Sequence, residues 1–395
     1  MDIKNFMLEG EEEVYTQVAE IAESPAYNHS KIRIMPDAHV GIASCIGFTA
    51  TFSDKLCPNT VGVDIGCRVS TYPLGVKTLD LEKLDRIIHK NIPSGFSVRE
   101  KECELSKRSF SYDELHCWDY LNKHDRIRNS LGTLGGGNHY IEVDRDPETK
   151  EYYLTVHCGS RGLGKKVAEY YQALAECEYN ERKHERENSI RDFMMTLPPH
   201  MRQSYLNSAR MNEENTKKDY LYVSGKNLEN YLSDAALCQF WSYLNHVQIL
   251  SSIVSAYGYE FNAENILTTI HNYVDVNNKI IRKGAISGYK GEVQLIPLNM
   301  RDGMLIVEAL GNEDWNCSLP HGAGRIMSRE AARKKLDLEE YKREMSEIYS
   351  SCICENTIDE APMAYKNANL IKEAIEDNAI ILKHLVPVYN FKAKE

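Results

Sequence analysis

The spacing of apolar residues along the 395-residue chain predicts helices interspersed with short strands. Apolar side chains that recur every three to four positions are typical of helices with one buried face. This pattern predicts helices over residues 10–24, 78–91, 112–130, 165–187, 233–256, 328–349 and 367–383. Runs rich in Val, Ile and Tyr beside turn residues predict strands. Such runs occur across 31–75, at 141–143 and 152–156 on either side of a turn near Pro147, across 267–310, and in the closing VPVYNF.

One stretch, residues 188–230, is polar and lacks a clear period, and we interpret it as an irregular lid or insertion. No repeat, low-complexity tract or linker rich in Pro, Gly and Ser divides the chain. We therefore expect one intertwined domain over residues 1–395. Its fold class is expected to be α+β, with mixed or antiparallel sheets packed by helices.

Composition is that of an ordinary globular protein, with 42% hydrophobic and 27% charged residues. The acidic start, MDIKNFMLEGEEEVYTQVAE, lacks the apolar run of a secretory signal. No stretch reaches the roughly 20 apolar residues that span a bilayer. We expect a soluble, cytoplasmic protein without membrane contact, whose eleven cysteines are mostly reduced. Cys352 and Cys354 form a CxC, but no second pair stands at zinc-finger spacing.

The net charge of −11 argues against binding nucleic acid through overall charge. It leaves room for a local basic groove. Cationic residues that stand beside the motifs described below are Arg126 with Arg128, Arg161 with Lys165 and Lys166, Arg282 with Lys283, and Arg325 with Arg329. Any one of these groups alone is most often solvated surface, and their position beside the motifs is what raises interest.

Five candidate metal ligands stand in or beside glycine-rich turns or at strand ends: Asp64, Cys67, His139, His157 and His271. Asp64 and Cys67 are three residues apart, so one tight turn can direct both at an ion, with Gly66 free to adopt unusual backbone angles. A mixed thiolate, imidazole and carboxylate set suits borderline divalent ions, and a shared thiolate would make a two-metal site. Taken singly, each histidine is more often structural, and Cys67 more often a small buried hydrophobe.

Two further glycine loops are candidates for phosphate binding. LGTLGGGNH (131–139) and GSRGLGKK (159–166) have backbone amides that can hold an anion, although glycine runs are as often simple turns. In HGAGR, His321 is followed at offsets four and eight by Arg325 and Arg329. A neutral imidazole flanked by arginines can attack a nucleotide α-phosphate. Alternatively, His321 is a metal or outer-sphere residue.

The order of the motifs resembles that of the RtcB family of RNA-splicing ligases. The segments are PDAHVG, GVDIGC, LGTLGGGNHYIEV, HCGSRGLG, HN, RKGA, HGAGR, APMAYK and VPVYNFK, and they run from Pro36 to Lys392. The resemblance implies an RtcB-like fold. It also implies an enzyme that uses GTP and two manganese ions to join RNA ends carrying a 2′,3′-cyclic phosphate or 3′-phosphate to ends carrying a 5′-hydroxyl.

Site roles follow from the same resemblance. Asp64, Cys67, His139, His157 and His271 match the manganese ligands, with Cys67 bridging, and His321 matches the histidine that becomes guanylylated. The positions that match nucleotide contacts are Asn138, Glu142, Arg325, Tyr365 and Lys392. Asp37 and His39 match a PD-x-H motif near the active site. The chain departs from the family in LIPLNMRDGM, where Asn299 and Met304 stand at serine positions near the nucleotide. Asn299 is therefore counted among the nucleotide contacts, and guanine recognition is in question.

Two other functions remain open. One is a metal-dependent phosphohydrolase that releases GMP or opens cyclic ends without sealing. The other is a non-catalytic protein that binds RNA ends or nucleotides. For a ligase, the expected partner is RNA with broken ends, either tRNA or rRNA, with or without an accessory protein factor.

Overall fold

The computed structural model describes residues 2–8, 12–211 and 216–394. Sixteen strands lie within those residues: β1 Asp2–Asn5, β2 Lys31–His39, β3 Ile46–Thr51, β4 Lys55–Leu56, β5 Arg68–Pro73, β6 Tyr140–Arg145, β7 Tyr152–Cys158, β8 Val223–Ser224, β9 Leu267–Ile270, β10 Asn272–Asp275, β11 Ile280–Lys283, β12 Ala285–Ser287, β13 Val293–Asn299, β14 Gly303–Ala309, β15 Ser318–Pro320 and β16 Ala379–Phe391. The same residues form ten α-helices: α1 Glu12–Ala22, α2 Leu81–Asn91, α3 Glu104–Ser109, α4 His124–Arg128, α5 Arg161–Thr196, α6 Pro199–Met211, α7 Gly225–Tyr257, α8 Arg329–Lys335, α9 Leu338–Glu344 and α10 Ala368–Ala374.

The largest sheet has seven strands in the order β13-β14-β16-β6-β7-β5-β9, and every neighbouring pair is antiparallel. A second sheet has the order β1-β2-β3-β11-β10, in which β1 and β2 are parallel and the other pairs antiparallel. Two further sheets are the pairs β12-β15 and β4-β8. Mixed and antiparallel sheets packed by helices confirm the expected α+β class.

Helices α2 and α7 cover one face of the seven-stranded sheet. Ile88 of α2 and Ile249 of α7 pack in one apolar cluster with Val156 of β7. Because side chains alternate along a strand, His157 points to the opposite face. Helix α7 runs for 33 residues to Tyr257 and is capped by Gly258, whose left-handed φ of 107° suits glycine. Helices α2 and α7 thus cover one face of the sheet, and His157 lies on the other, beside the buried Val69.

The segment expected to be irregular is largely helical. Helix α5 continues to Thr196, and α6 packs back against it through Phe193 and Tyr205. A long solvated helix carries charges on most sides, so its sequence shows little apolar period. Pro198 and Pro199 separate the two helices because proline disfavours helix in the residue before it. The prediction of irregular structure was therefore wrong for residues 188–211. Residues 212–215 lie outside the described part of the chain.

Three other helix predictions need correction. Residues 112–130 form two single 3₁₀ turns and the short α4, because the buried Asp234 carboxylate accepts from the amides of His116 and Cys117 and fixes a non-helical path. Residues 328–349 divide into α8 and α9, and the side chain of Asp337 caps the start of α9. Residues 367–383 begin as α10 but enter β16 at Ala379, where pairing with β14 overrides helix formation. None of the described helices has the length and apolar composition to cross a membrane.

Candidate metal centre and active site

Three candidate ligands meet at the face of the seven-stranded sheet opposite α2 and α7. The Sγ of Cys67 lies 3.4 Å from Nε2 of His157, and that nitrogen lies 3.3 Å from Nε2 of His271. Cys67 precedes β5, His157 belongs to β7, and His271 follows β9, so three adjacent strands present the three side chains. Ligand atoms held at strand ends are rigid, as metal binding requires.

The other two candidates adjoin Cys67 from a different side. Nε2 of His139 lies 3.2 Å from Oδ2 of Asp64 and 3.7 Å from the Cys67 sulfur. Cys67 therefore belongs to two groups of three, one with His157 and His271 and one with Asp64 and His139, and in each group the ligand atoms lie within 4.8 Å of one another. This arrangement can hold two cations with the sulfur between them.

Backbone groups around the cluster orient its side chains. Nδ1 of His139 lies 3.0 Å from the carbonyl oxygen of Leu134, which leaves Nε2 to face Asp64. The amide of Ser160 donates to Oδ1 of Asp64 over 3.0 Å. At Gly159 a Cβ would lie 2.1 Å from Asp64 Oδ2, so glycine is needed there for close approach. Such outer contacts fix ligand orientation.

Burial shifts the pKa values of three candidate ligands, His157, His271 and Cys67. It lowers the pKa of His157 well below the usual imidazole value, with a further contribution from His271. The pKa of His271 is lowered in the same way, by burial and by the neighbouring His321. Burial, with the Asp64 charge, raises the pKa of the Cys67 thiol to about 12. Two neutral imidazoles and a thiol fit one borderline divalent cation, whose binding would displace the thiol proton. In the other group, burial lowers the pKa of His139, but Cys158 and Asp64 outweigh burial and raise it well above the usual imidazole value.

His321 adjoins this cluster and has a carboxylate partner. Its ring centroid lies 5.2 Å from that of His271. Oδ2 of Asp37 lies 2.7 Å from Nδ1 of His321 and also accepts from its backbone amide over 3.1 Å. Asp37 is fully buried, and its Oδ1 finds no hydrogen-bond partner among the described residues. The histidine of the PD-x-H motif, His39, has a pKa lowered to about 4 by burial.

A buried carboxylate that the motifs did not single out, Glu360, pairs with two cations expected at the nucleotide, Arg325 and Lys392, and also with Arg329. Lys392 Nζ lies 2.9 Å from it, Arg325 Nη1 3.2 Å and Arg329 Nη1 2.6 Å. The hydroxyl of Tyr365 donates to the same group over 2.9 Å. Although burial alone would raise the pKa of Glu360, the three cations hold it at about 2. The one sequence signal that could have drawn attention to Glu360 is that it directly precedes the APMAYK motif.

Not all predicted nucleotide contacts lie together. Asn138 is exposed in the glycine loop next to His139. Glu142 is buried on β6, where the Asn390 amide donates to it over 2.7 Å. Asn299 lines a cleft of about 750 Å³ that Tyr365 also lines.

The two serine-replacing residues have separate structural roles. Asn299 Oδ1 accepts from the amides of Arg301 and Asp302, so this side chain caps the turn between β13 and β14. Met304 is fully buried in an apolar cluster with Leu295 and Leu385, away from the solvent-accessible cleft. Of these two substitutions, Asn299 is the one positioned to affect a ligand in the cleft.

Comparison with known proteins supplies the family. The family model described as tRNA-splicing ligase RtcB matches residues 17–119 and 113–393. The RNA-splicing ligase RtcB of Escherichia coli K12 is 29% identical over 381 residues, covering 88% of this chain and 86% of the relative. The tRNA-splicing ligase RtcB of Methanococcus maripaludis is 25% identical, covering 94% and 89%. The chain therefore belongs to the RtcB family.

Proposed function

We propose that this protein is an RNA ligase that joins a 3′-phosphate or 2′,3′-cyclic phosphate end to a 5′-hydroxyl end, using GTP and two manganese ions. The observation that carries the proposal is the position of His321. Its ring adjoins the five-residue cluster, and Asp37 engages its Nδ1. Family membership and the names of the relatives agree with this activity.

Asp64, Cys67, His139, His157 and His271 would hold the metal ions. Bound there, divalent cations neutralise phosphate charge and lower the pKa of water. Cys67 belongs to both groups of three and would serve both ions. The chemistry of the donors supports manganese among other borderline ions without selecting it.

His321 would be the nucleophile. With a proton on Nδ1 shared with Asp37, the lone pair lies on Nε2. Nε2 attacks the α-phosphorus of GTP, a P–N bond forms, and pyrophosphate leaves. The RNA 3′-phosphate then attacks this phosphorus and takes GMP from the histidine, which regains its free Nε2. Finally the 5′-hydroxyl attacks the activated RNA phosphate, and GMP leaves as the phosphodiester forms. A cyclic phosphate end is first opened by water.

Asn138, Glu142, Asn299, Arg325, Tyr365 and Lys392 would contact the nucleotide. The cleft lined by Asn299 and Tyr365 supports a base-binding role for that part of the group. Arg325 and Lys392 bring positive charge beside it, balanced by Glu360 before ligand binds. The proposal treats residues 1–395 as one ligase domain, with 188–230 as its lid or insertion. Under this proposal the protein acts in RNA repair or splicing in the cytoplasm. Its partners are broken tRNA or rRNA and an accessory protein factor.

The test uses GTP labelled at the α-phosphate, with manganese and no RNA. Wild-type protein should acquire an acid-labile label, as a P–N bond predicts, and His321→Ala should acquire none. His184→Ala, an exposed histidine on α5, is the matched control and should label normally. Label that persists in His321→Ala overturns the assignment of the nucleophile. Opening of cyclic ends or release of GMP without any sealing of defined RNA ends would favour the phosphohydrolase instead.

A further inference from the structure

An exposed aromatic side chain, Phe96, stands on a fixed segment of backbone. Its side chain is 80% exposed in the loop that follows α2. Nη2 of Arg126 donates to the carbonyl oxygen of Phe96 over 2.5 Å, and Nη2 of Arg161 donates to that of Gly95 over 3.1 Å. A single exposed hydrophobic residue is ordinary in a soluble protein. Here the ring projects into solvent from a backbone segment in which two successive carbonyl oxygens accept hydrogen bonds from arginines, which is a more specific arrangement.

The Phe96 segment is joined to the metal centre through the glycine loop. Leu134 N donates to Pro93 O, and Gly95 N donates to Gly135 O, each over 2.9 Å. The carbonyl of the same Leu134 lies 3.0 Å from Nδ1 of the candidate ligand His139. Phe96 is thus one residue beyond a backbone pairing with the loop that orients a candidate metal ligand.

Positive charge accompanies the ring. Arg126 is exposed, and Arg161 is half-buried beside Gly135, where a Cβ would lie 1.5 Å from Arg161 Nη1. Arg161 has a φ of 55°, a left-handed conformation that costs energy in a residue with a Cβ. Nε of Arg161 also donates to Oγ1 of Thr133 over 3.2 Å. Each guanidinium has five N–H donors, more than these contacts use, and its fork matches phosphate oxygens.

We propose that an unpaired RNA base next to the broken end stacks on Phe96, while Arg126 and Arg161 contact the adjoining phosphates. This inference rests on the proposed function, since it takes RNA as the substrate of the neighbouring centre. Stacking suits any base, because every base presents a π face, and arginine supplies the sequence-independent phosphate contacts. The ring thereby selects ends with an unpaired nucleotide over blunt duplex ends.

The test is fluorescence anisotropy with a labelled single-stranded RNA that ends in a 3′-phosphate, with no GTP present so that no reaction proceeds. Phe96→Ala should weaken binding by about 5- to 150-fold, the effect of losing one stacked base. Phe96→Trp should bind within about threefold of wild type, since indole also stacks. Phe193→Ala is the matched control, because Phe193 is 49% exposed on the same α5 that begins at Arg161. At 1.5 Å per residue it lies about 48 Å along that helix from Arg161, and its removal should leave binding unchanged.

A blunt RNA duplex separates stacking from indirect effects. Wild type and Phe96→Ala should bind the duplex equally, because it offers no unpaired base. Unchanged single-strand binding in Phe96→Ala, a Trp variant as weak as the Ala variant, or equal loss on both RNAs would each overturn the inference. Guanylylation without RNA, which should be normal in Phe96→Ala, reports on the proposed function separately. If wild type is not labelled by α-labelled GTP yet binds RNA through Phe96, the proposed function is refuted and the inference that a base stacks on Phe96 is kept.

Discussion

Oδ2 of Asp37 accepts a hydrogen bond from the backbone amide of His321 and lies 2.7 Å from Nδ1 of the same residue. One carboxylate oxygen therefore fixes both the backbone and the ring of the candidate nucleophile. Because Asp37 is fully buried, the ring has little freedom to exchange this partner for water. The arrangement selects the tautomer in which Nε2 carries the lone pair.

Asp37→Asn should lower the rate of guanylylation by at least about 100-fold, because an amide can donate to Nδ1 and stabilise the wrong tautomer. Labelling with α-labelled GTP under single-turnover conditions measures this rate. The asparagine variant keeps the size of the side chain, so its thermal unfolding should remain cooperative. A folded Asp37→Asn protein that labels at the wild-type rate would show that Asp37 does not orient the ring.

Cys67→Ala should reduce bound manganese from two ions per chain to one or none, since its sulfur belongs to both groups of ligands. Joining of RNA ends should fall with it. Metal content after dialysis, measured by elemental analysis, gives the stoichiometry. Cys177→Ala, at an exposed cysteine on α5, is the control and should bind metal as wild type does. Two tightly bound ions in Cys67→Ala would remove the bridging role.

Two glycines three positions apart in the HCGSRGLG motif, Gly159 and Gly162, should respond in opposite ways to alanine. In Gly159→Ala the new Cβ would meet Asp64 Oδ2 at 2.1 Å, so we expect the Asp64–His139 side to lose its metal. At Gly162 nothing lies within 4 Å of the added Cβ, and the residue is inside α5. Gly162→Ala should therefore keep both ions and gain up to about 1 kcal/mol in free energy of unfolding. Manganese titration and urea denaturation of both variants check the pair.

The sequence was informative where glycine and the end of a strand coincide with a ligand. Residues such as Cys67, beside Gly66, and His157, at the end of an apolar run, were predicted to converge, and they lie together. Their role as metal ligands stays a prediction. Local patterns failed where distant residues decide the structure: the Asp234 carboxylate fixes the path at Cys117, far from it in sequence. Glu360 was missed for the same reason, since nothing local distinguishes a buried acid among partners from a solvated one.

Glu360→Gln should destabilise the fold near neutral pH, because it leaves the buried Lys392 and the mostly buried Arg325 without their shared carboxylate. Removing one partner of a buried ion pair costs about 3–5 kcal/mol.

The cations hold the pKa of Glu360 at about 2, against 4.5 for the free side chain. A lowered carboxyl pKa stabilises the fold above pH 4.5, and that contribution is lost as pH falls toward 2. The difference in free energy of unfolding between wild type and Glu360→Gln should therefore be constant above about pH 5 and shrink below it. Urea denaturation at a series of pH values measures the difference, with Glu355→Gln as control because Glu355 is exposed in the same turn. A difference that does not change between pH 7 and pH 3 would mean that charge pairing at Glu360 is not what stabilises this part of the site.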